Sequence, residues 1–145
     1  PSAAARALPL LVPNPMTIDP GDAYLAEHAT REGVLVTASG LQYVVLATGE
    51  GRRTGPGDTV VTHYVGSFID GQVFDNTRRR NLPATFPLDK VIKGWSEALQ
   101  LMREGDKWRL VIPPELGYGR KGLRPIPPDA VLIFEVELLE VKKPK

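Results

Sequence analysis

The 145-residue chain has no cysteine and only two histidines, His28 and His63. Without a thiol there is no disulfide framework, no thiolate nucleophile, no zinc ribbon and no iron–sulfur cluster, and thiol usage says nothing about the redox compartment. Two histidines and no clustered acidic loop offer no ligand set for a metal ion. No apolar run approaches the roughly eighteen residues that span a bilayer, and Leu8 to Pro13 is short and broken by proline. An excess of one charge is also missing. Eighteen basic residues stand against 17 acidic, a formal +1, which argues against a surface built for nucleic acid. What is there is a globular balance, 42% hydrophobic and 24% charged, in a length that suits one compact domain.

Residues 1–18 hold four prolines and no acidic residue. They read as a flexible arm, in keeping with a trimmed leader or a piece of a longer precursor. Residues 19–38 read as a short helix and linker. Asp19 is the N-cap, Pro20 takes the first helical position, Asp22 sits in the first turn, and Gly33 is the stop. From residue 41 the hydrophobic period changes to two. Leu41–Leu46 and Asp58–Ile69 are strand-like, Asp70-Gly71 is a hairpin turn, and Gln72–Asp75 is the returning strand. Asn76–Pro83 is a polar, basic stretch followed by a short extended piece, Ala84–Leu88.

The strongest helix is Gly94–Met102, where Trp95, Ala98, Leu99 and Met102 form one apolar stripe. Lys107–Ile112 alternates with Trp108, Leu110 and Ile112 inward. After a Pro/Gly-rich excursion from Pro113 to Pro128, the strand Val131–Val141 buries Leu132, Phe134, Val136 and Leu138. Strands joined by a hairpin and loops, without a helix at each crossover, exclude a doubly wound parallel sheet. The economical solution is α+β, an antiparallel sheet folded around one amphipathic helix.

Gly117-Tyr-Gly-Arg-Lys-Gly122 matches the dinucleotide fingerprint in letters only, because prolines follow where a helix must start. Arg78-Arg79-Arg80 is the densest charge run, and its plain reading is a solvated loop tip. His63 reads as structural. Asp75, directly after Phe74 on an otherwise neutral strand, is either a strand-end aspartate bonding a turn amide or a functional carboxylate. Tyr64, Trp95 and Tyr118 are either core aromatics or the lining of an apolar pocket with a polar handle. Periodicity alone does not choose.

The segments Val65-Gly66 with Asp70-Gly-Gln-Val-Phe-Asp75, Val91-Ile-Lys-Gly-Trp-Ser-Glu-Ala98, Pro113-Pro-Glu-Leu-Gly-Tyr-Gly119 and Ile126-Pro-Pro-Asp-Ala-Val-Leu-Ile-Phe134 resemble, in order and spacing, an FKBP-type peptidyl-prolyl cis/trans isomerase over residues 39–142. Ser39-Gly-Leu-Gln-Tyr43 and Pro83–Leu88 are similar to its macrophage-infectivity-potentiator-like branch. The resemblance implies a half-barrel of five to six antiparallel strands around the Trp95 helix, and a pocket between them. It implies Trp95 as the floor, Tyr64, Phe74, Val91, Ile92, Tyr118 and Phe134 as walls, Phe86 as a further wall candidate and Ile126 at the rim. By the same resemblance, the Ile92 amide and the Tyr118 hydroxyl bond carbonyls of the bound peptide, and Asp75 lies beside the twisted imide. The implied activity is rotation about X-Pro bonds of protein clients, with a non-turning-over binding module of the same fold as the alternative. It needs no metal or cofactor. Macrolides such as tacrolimus and rapamycin are implied ligands, nucleic acid and a membrane span are not, and the chain is expected to be a monomer. The expected location is extracytoplasmic or an organelle lumen, with the cytoplasm as the alternative. Two departures bear on substrate preference and macrolide affinity. Ala84 stands where many small members have an aromatic residue, and the loop Arg120–Pro125 is a residue shorter and basic.

Overall fold

The computed structural model of the protein describes residues 19–144, so the arm assigned to residues 1–18 lies outside the described residues. Helix α1 is Pro20–His28; Asp19 caps it by accepting from Gly21 N–H at 2.9 Å, and Pro20 starts it. The strands are β1 (Leu35–Val36), β2 (Gln42–Ala47), β3 (Thr59–Ser67), β4 (Val73–Asn76), β5 (Ala84–Pro87), β6 (Lys107–Ile112) and β7 (Leu132–Lys142). Helix α2 is a single turn, Thr77–Arg80, and α3 is Lys93–Leu101. Every strand pairing is antiparallel. The sheet order is β1-β2-β6-β7-β3-β4, with β5 also on β3. The count is therefore six strands of four or more residues plus the two-residue β1.

Strand β3 positions the rest. Its inner edge runs the full length of β7, and its outer edge is shared end to end by β5 at Thr59–Thr62 and β4 at Val65–Ser67. Its alternation is complete: Val60, Thr62, Tyr64 and Gly66 are buried, while the residues between them are half-buried. The turn after it is tight at Asp70-Gly71, with the Asp70 carboxylate accepting from Gln72 N–H at 2.9 Å. The core lies between the concave face and α3, whose Trp95, Ala98 and Leu99 are buried together with its C-cap Met102, as the helical stripe requires. At Gly94 a Cβ would meet Ile112 Cγ2 at 2.8 Å, so only glycine lets α3 lie this close to β6.

Two segments differ from the sequence reading. Asn76–Pro83 is not purely a loop. The Asn76 side chain accepts from Arg78 and Arg79 N–H at 3.0 and 3.3 Å, which caps the one-turn α2. Helix α1 ends at His28, well before Gly33, with Ala29 as its C-cap, and His28 is fully buried there with Nδ1 on Gln42 of β2.

Candidate active site

The cavity forms where β3, β4 and β5 splay from α3. Trp95, the first large residue of α3, is 4% exposed and sits at the centre of a ring cluster. Tyr64, Phe134 and Phe86 meet it edge to face, at centroid separations of 4.9, 5.3 and 5.5 Å and interplanar angles of 89°, 85° and 84°. Phe74 meets Phe134 in the same manner at 5.7 Å and 86°. Perpendicular rings present edges to faces, as their quadrupoles favour, and cannot close flat on one another. Gly66 makes this approach possible, since a Cβ there would lie 2.7 Å from Phe74 Cζ and 2.8 Å from Phe134 Cε1. The space left is a cavity of about 430 Å³.

Of the residues singled out in the sequence, Tyr64, Phe74, Asp75, Phe86, Val91, Ile92, Trp95, Tyr118 and Phe134 line this cavity. Phe86 supplies the aromatic wall on β5, two residues after the small Ala84. Ile126 does not line it. The tight turn that pairs Leu123 with Ile126 buries Ile126 in the core and leaves Leu123, 59% exposed, at the mouth. Lys90 is the other lining residue that sequence reasoning missed. Both lie in segments without periodicity, and the only signal for Lys90 was its place directly before Val91-Ile92.

One carboxylate organises the polar side. Asp75 Oδ2 accepts from the Tyr64 hydroxyl, and Asp75 Oδ1 accepts from Arg80 Nη1 at 2.5 Å. The register of β3 on β4 sets the first contact and the capped turn of α2 sets the second. The turn is itself bolted to β3. Thr77 Oγ1 accepts from Tyr64 N–H at 2.8 Å, donates to Tyr64 C=O at 3.2 Å, and pairs with His63 Nδ1 at 2.9 Å. Arg78-Arg79-Arg80 is exposed, as its solvated reading has it, but on a helical turn rather than a loop tip, and Arg78 pairs with Glu137 as Arg80 does with Asp75.

Burial raises the Asp75 carboxyl, but the Tyr64 and Arg80 hydrogen bonds together outweigh it, and its pKa falls below the ordinary 3.8. Burial, followed by the Asp75 charge, pushes the Tyr64 phenol up to about 12. The half-buried Tyr118 phenol is raised by burial and then by the Asp75 charge. At neutral pH the site is thus an anion flanked by two intact hydroxyl groups. Ile92 caps α3 with its carbonyl, which accepts from Ser96 N–H at 3.1 Å, while its own N–H has no partner among the described residues.

With this geometry in view, the comparisons with known proteins are specific. The family described as "FKBP-type peptidyl-prolyl cis-trans isomerase" matches residues 50–139, and "Domain amino terminal to FKBP-type peptidyl-prolyl isomerase" matches 16–45. The chain belongs to the FKBP-type isomerase family. It is 52% identical over 122 residues to the FKBP-type 22 kDa peptidyl-prolyl cis-trans isomerase of Escherichia coli, covering 83% of this chain and 59% of that protein. It is 45% identical over 124 residues to the outer membrane protein MIP of Legionella longbeachae, covering 85% and 53%. The crystal structure of FkpA from Escherichia coli matches with a TM-score of 0.82 at 47% identity, over 84% of this chain and 57% of that one. The chain spans little more than half the length of these relatives. All the residues that line the cavity fall within the 50–139 match.

Proposed function

We propose that the protein is a peptidyl-prolyl cis/trans isomerase acting on X-Pro bonds of protein clients. The observation that carries the reading is a cavity walled by perpendicular rings and lined also by Asp75, Tyr118 and Ile92. Rotation about a peptide bond makes and breaks no σ bond. Its barrier of about 18–20 kcal/mol is lost amide resonance, and an X-Pro bond isomerises unaided over tens of seconds or longer. A ten-thousandfold acceleration requires only about 5–6 kcal/mol of preferential binding to the twisted state.

The planar imide carries charge separation that the orthogonal state gives up, so moving it from water to a ring-lined cavity disfavours the planar form. Trp95 takes the face of the proline ring as the floor, and Tyr64, Phe74, Phe86, Val91 and Phe134 exclude water around it. The Ile92 N–H and the Tyr118 O–H donate to carbonyls on either side of the bond and hold the twisted geometry. Asp75, kept ionised by Tyr64 and Arg80, faces the rotating carbonyl, whose carbon becomes more ketone-like as resonance is lost. Arg80 and Tyr64 are positioning residues in this scheme.

Tacrolimus- and rapamycin-like macrolides, which offer a ring-bound dicarbonyl, suit the same cavity. We further propose a monomer that works outside the cytoplasm. The Legionella relative is named as an outer membrane protein, which supports the location; no helix among the described residues is long and apolar enough to cross a membrane. The test of the activity is proton-exchange NMR on an X-Pro-Phe peptide with the full chain. Line broadening of the cis and trans signals is expected at micromolar protein, and unchanged exchange overturns the reading.

A further inference from the structure

A second concavity, a groove of about 710 Å³, opens on the far side of Phe74, and Phe74 lines both spaces. Phe68 packs against Phe74 at 4.8 Å and continues the apolar floor into the groove, where Val73, 43% exposed, and Pro127 extend it. The rim is acidic. Asp19, Asp70 and Asp129 are exposed there, and none takes part in an ion pair among the described residues. Asp19 and Asp70 each spend one oxygen on a backbone N–H and leave the other open. The start of α1 is held at this rim by close packing, for a Cβ on Gly21 would meet Val131 Cγ2 at 2.9 Å.

We propose that this groove is a second subsite of the client site, which takes the stretch of the same chain beyond the isomerised proline and selects a lysine or arginine in it. The inference rests on the isomerase reading for the proline cavity. Continuity with that cavity names the occupant: Phe74 lines both spaces, so an extended chain, advancing about 3.3 Å per residue, that leaves one past this ring enters the other. Charge names its chemistry. Three open carboxylates repel phosphate and acidic segments, whereas a basic side chain with an apolar stem lays that stem on Phe68 and Val73 and its head among the carboxylates. The proximal end of α1 thereby belongs to the client site as well as to the scaffold.

The test compares three probes on the full chain: an X-Pro-Phe tetrapeptide, a twelve-residue Leu-Pro peptide with lysine three to five positions from the proline, and the same peptide with glutamate there. Exchange NMR gives turnover and fluorescence anisotropy gives binding. The variant is Asp19→Asn/Asp70→Asn/Asp129→Asn. Asparagine keeps the cap at position 19 and the turn at 70, and tolerates the positive φ of 58° at 129. The wild type is expected to bind and turn over the lysine peptide about five- to tenfold better than the glutamate peptide, and added salt narrows the gap. The triple variant abolishes that preference and leaves tetrapeptide turnover unchanged. Equal handling of the two long peptides by the wild type overturns the subsite while leaving the activity standing. So does a preference that survives in the variant. A wild type that fails on the tetrapeptide overturns the isomerase reading, and the lysine-to-glutamate ratio in anisotropy then still decides the groove. Sedimentation of the wild type as a dimer that Val73→Lys dissociates overturns the proposal in favour of a second copy of the chain.

Discussion

The rings at the two ends of the sheet pack in opposite ways. Around the cavity, Trp95 meets its three neighbours at 84° to 89°. At the seam where α1 covers β2 and β6, Tyr24 is stacked with His28 at 13° and 5.8 Å, and on the opposite, core face of the same two strands Tyr43 lies parallel to Trp108 at 4° and 4.3 Å. Parallel rings fill the space between layers, and perpendicular rings leave a concave wall. The polar groups follow suit. At the seam, Gln42 Nε2 donates to Leu25 C=O at 2.9 Å and Gln42 Oε1 accepts from His28 Nδ1 at 2.7 Å, all under cover. At the cavity, Asp75 is held from behind by Tyr64 and Arg80 and keeps an open side. Two networks of similar size thus do different work: a closed one ties an element down, and an open one presents an oriented charge.

Trp95→Ala is the largest insult to this contrast, since it removes the ring on which the perpendicular packing centres. It should cost about 3–5 kcal/mol in urea unfolding and leave too little structure for turnover to be informative. Gln42→Leu attacks the seam instead. It strands the His28 N–H without a partner and takes one of two donors from the Leu25 carbonyl, which keeps Ala29 N–H at 3.1 Å, for a loss of about 1–3 kcal/mol, while kcat/KM of the folded protein stays within twofold of wild type. Turnover that falls in step with stability would mean that the seam and the cavity are not separable. Asp75→Asn reverses the pattern. Shape is kept and the charge is lost, so kcat/KM should fall about tenfold, equivalent to about 1.4 kcal/mol, with a smaller change in unfolding free energy. An unchanged kcat/KM would remove Asp75 from the reaction.

The seam and the cavity were not equally legible from the residues. The α3 stripe and the β3 alternation are local periodicities; each side chain of the stripe is buried, and of the two faces of β3 the one carrying Val60, Thr62 and Tyr64 is buried. Asp75 was visible as a carboxylate in a neutral strand, but its partners were not. Tyr64 and Arg80 reach it through strand register and through a one-turn helix whose only cue was the capping Asn76. The His28–Gln42 pair spans fourteen residues and two element types, and no spacing rule connects them. Ile126, expected at the rim, is buried in the core, and Leu123 lies at the mouth, because a proline-rich loop has no period from which facing can be read.

The smallest predicted effect concerns pH, and it separates the two regions by the group that titrates. His28 is fully buried, and burial lowers its pKa from the ordinary 6.5; the Arg109 and Arg31 charges act in the same direction, against the Gln42 hydrogen bond and the Glu27 charge. Because Gln42 Nε2 already donates to Leu25, Gln42 Oε1 must take the His28 Nδ1 proton, so the neutral ring carries its hydrogen on that nitrogen. The other nitrogen, Nε2, is buried without a partner, and a proton added there has no acceptor. The unfolded chain therefore binds this proton before the folded one does. The contribution of His28 to stability is complete above about pH 6.5 and is lost as pH falls from there toward the lowered folded value, by at most about 1.4 kcal/mol per pH unit. The lowered carboxyls of Asp58, Asp75 and Glu104 lose their contributions further down, below the ordinary carboxylate values of 3.8 and 4.5. Unfolding free energy should thus decline between pH 6.5 and 5 in the wild type and stay flat over that window in His28→Gln, with hydrogen exchange rising first in α1. A decline of equal size in both proteins, or one that begins in α2 and β4, would place the titrating group at the cavity rather than at the seam.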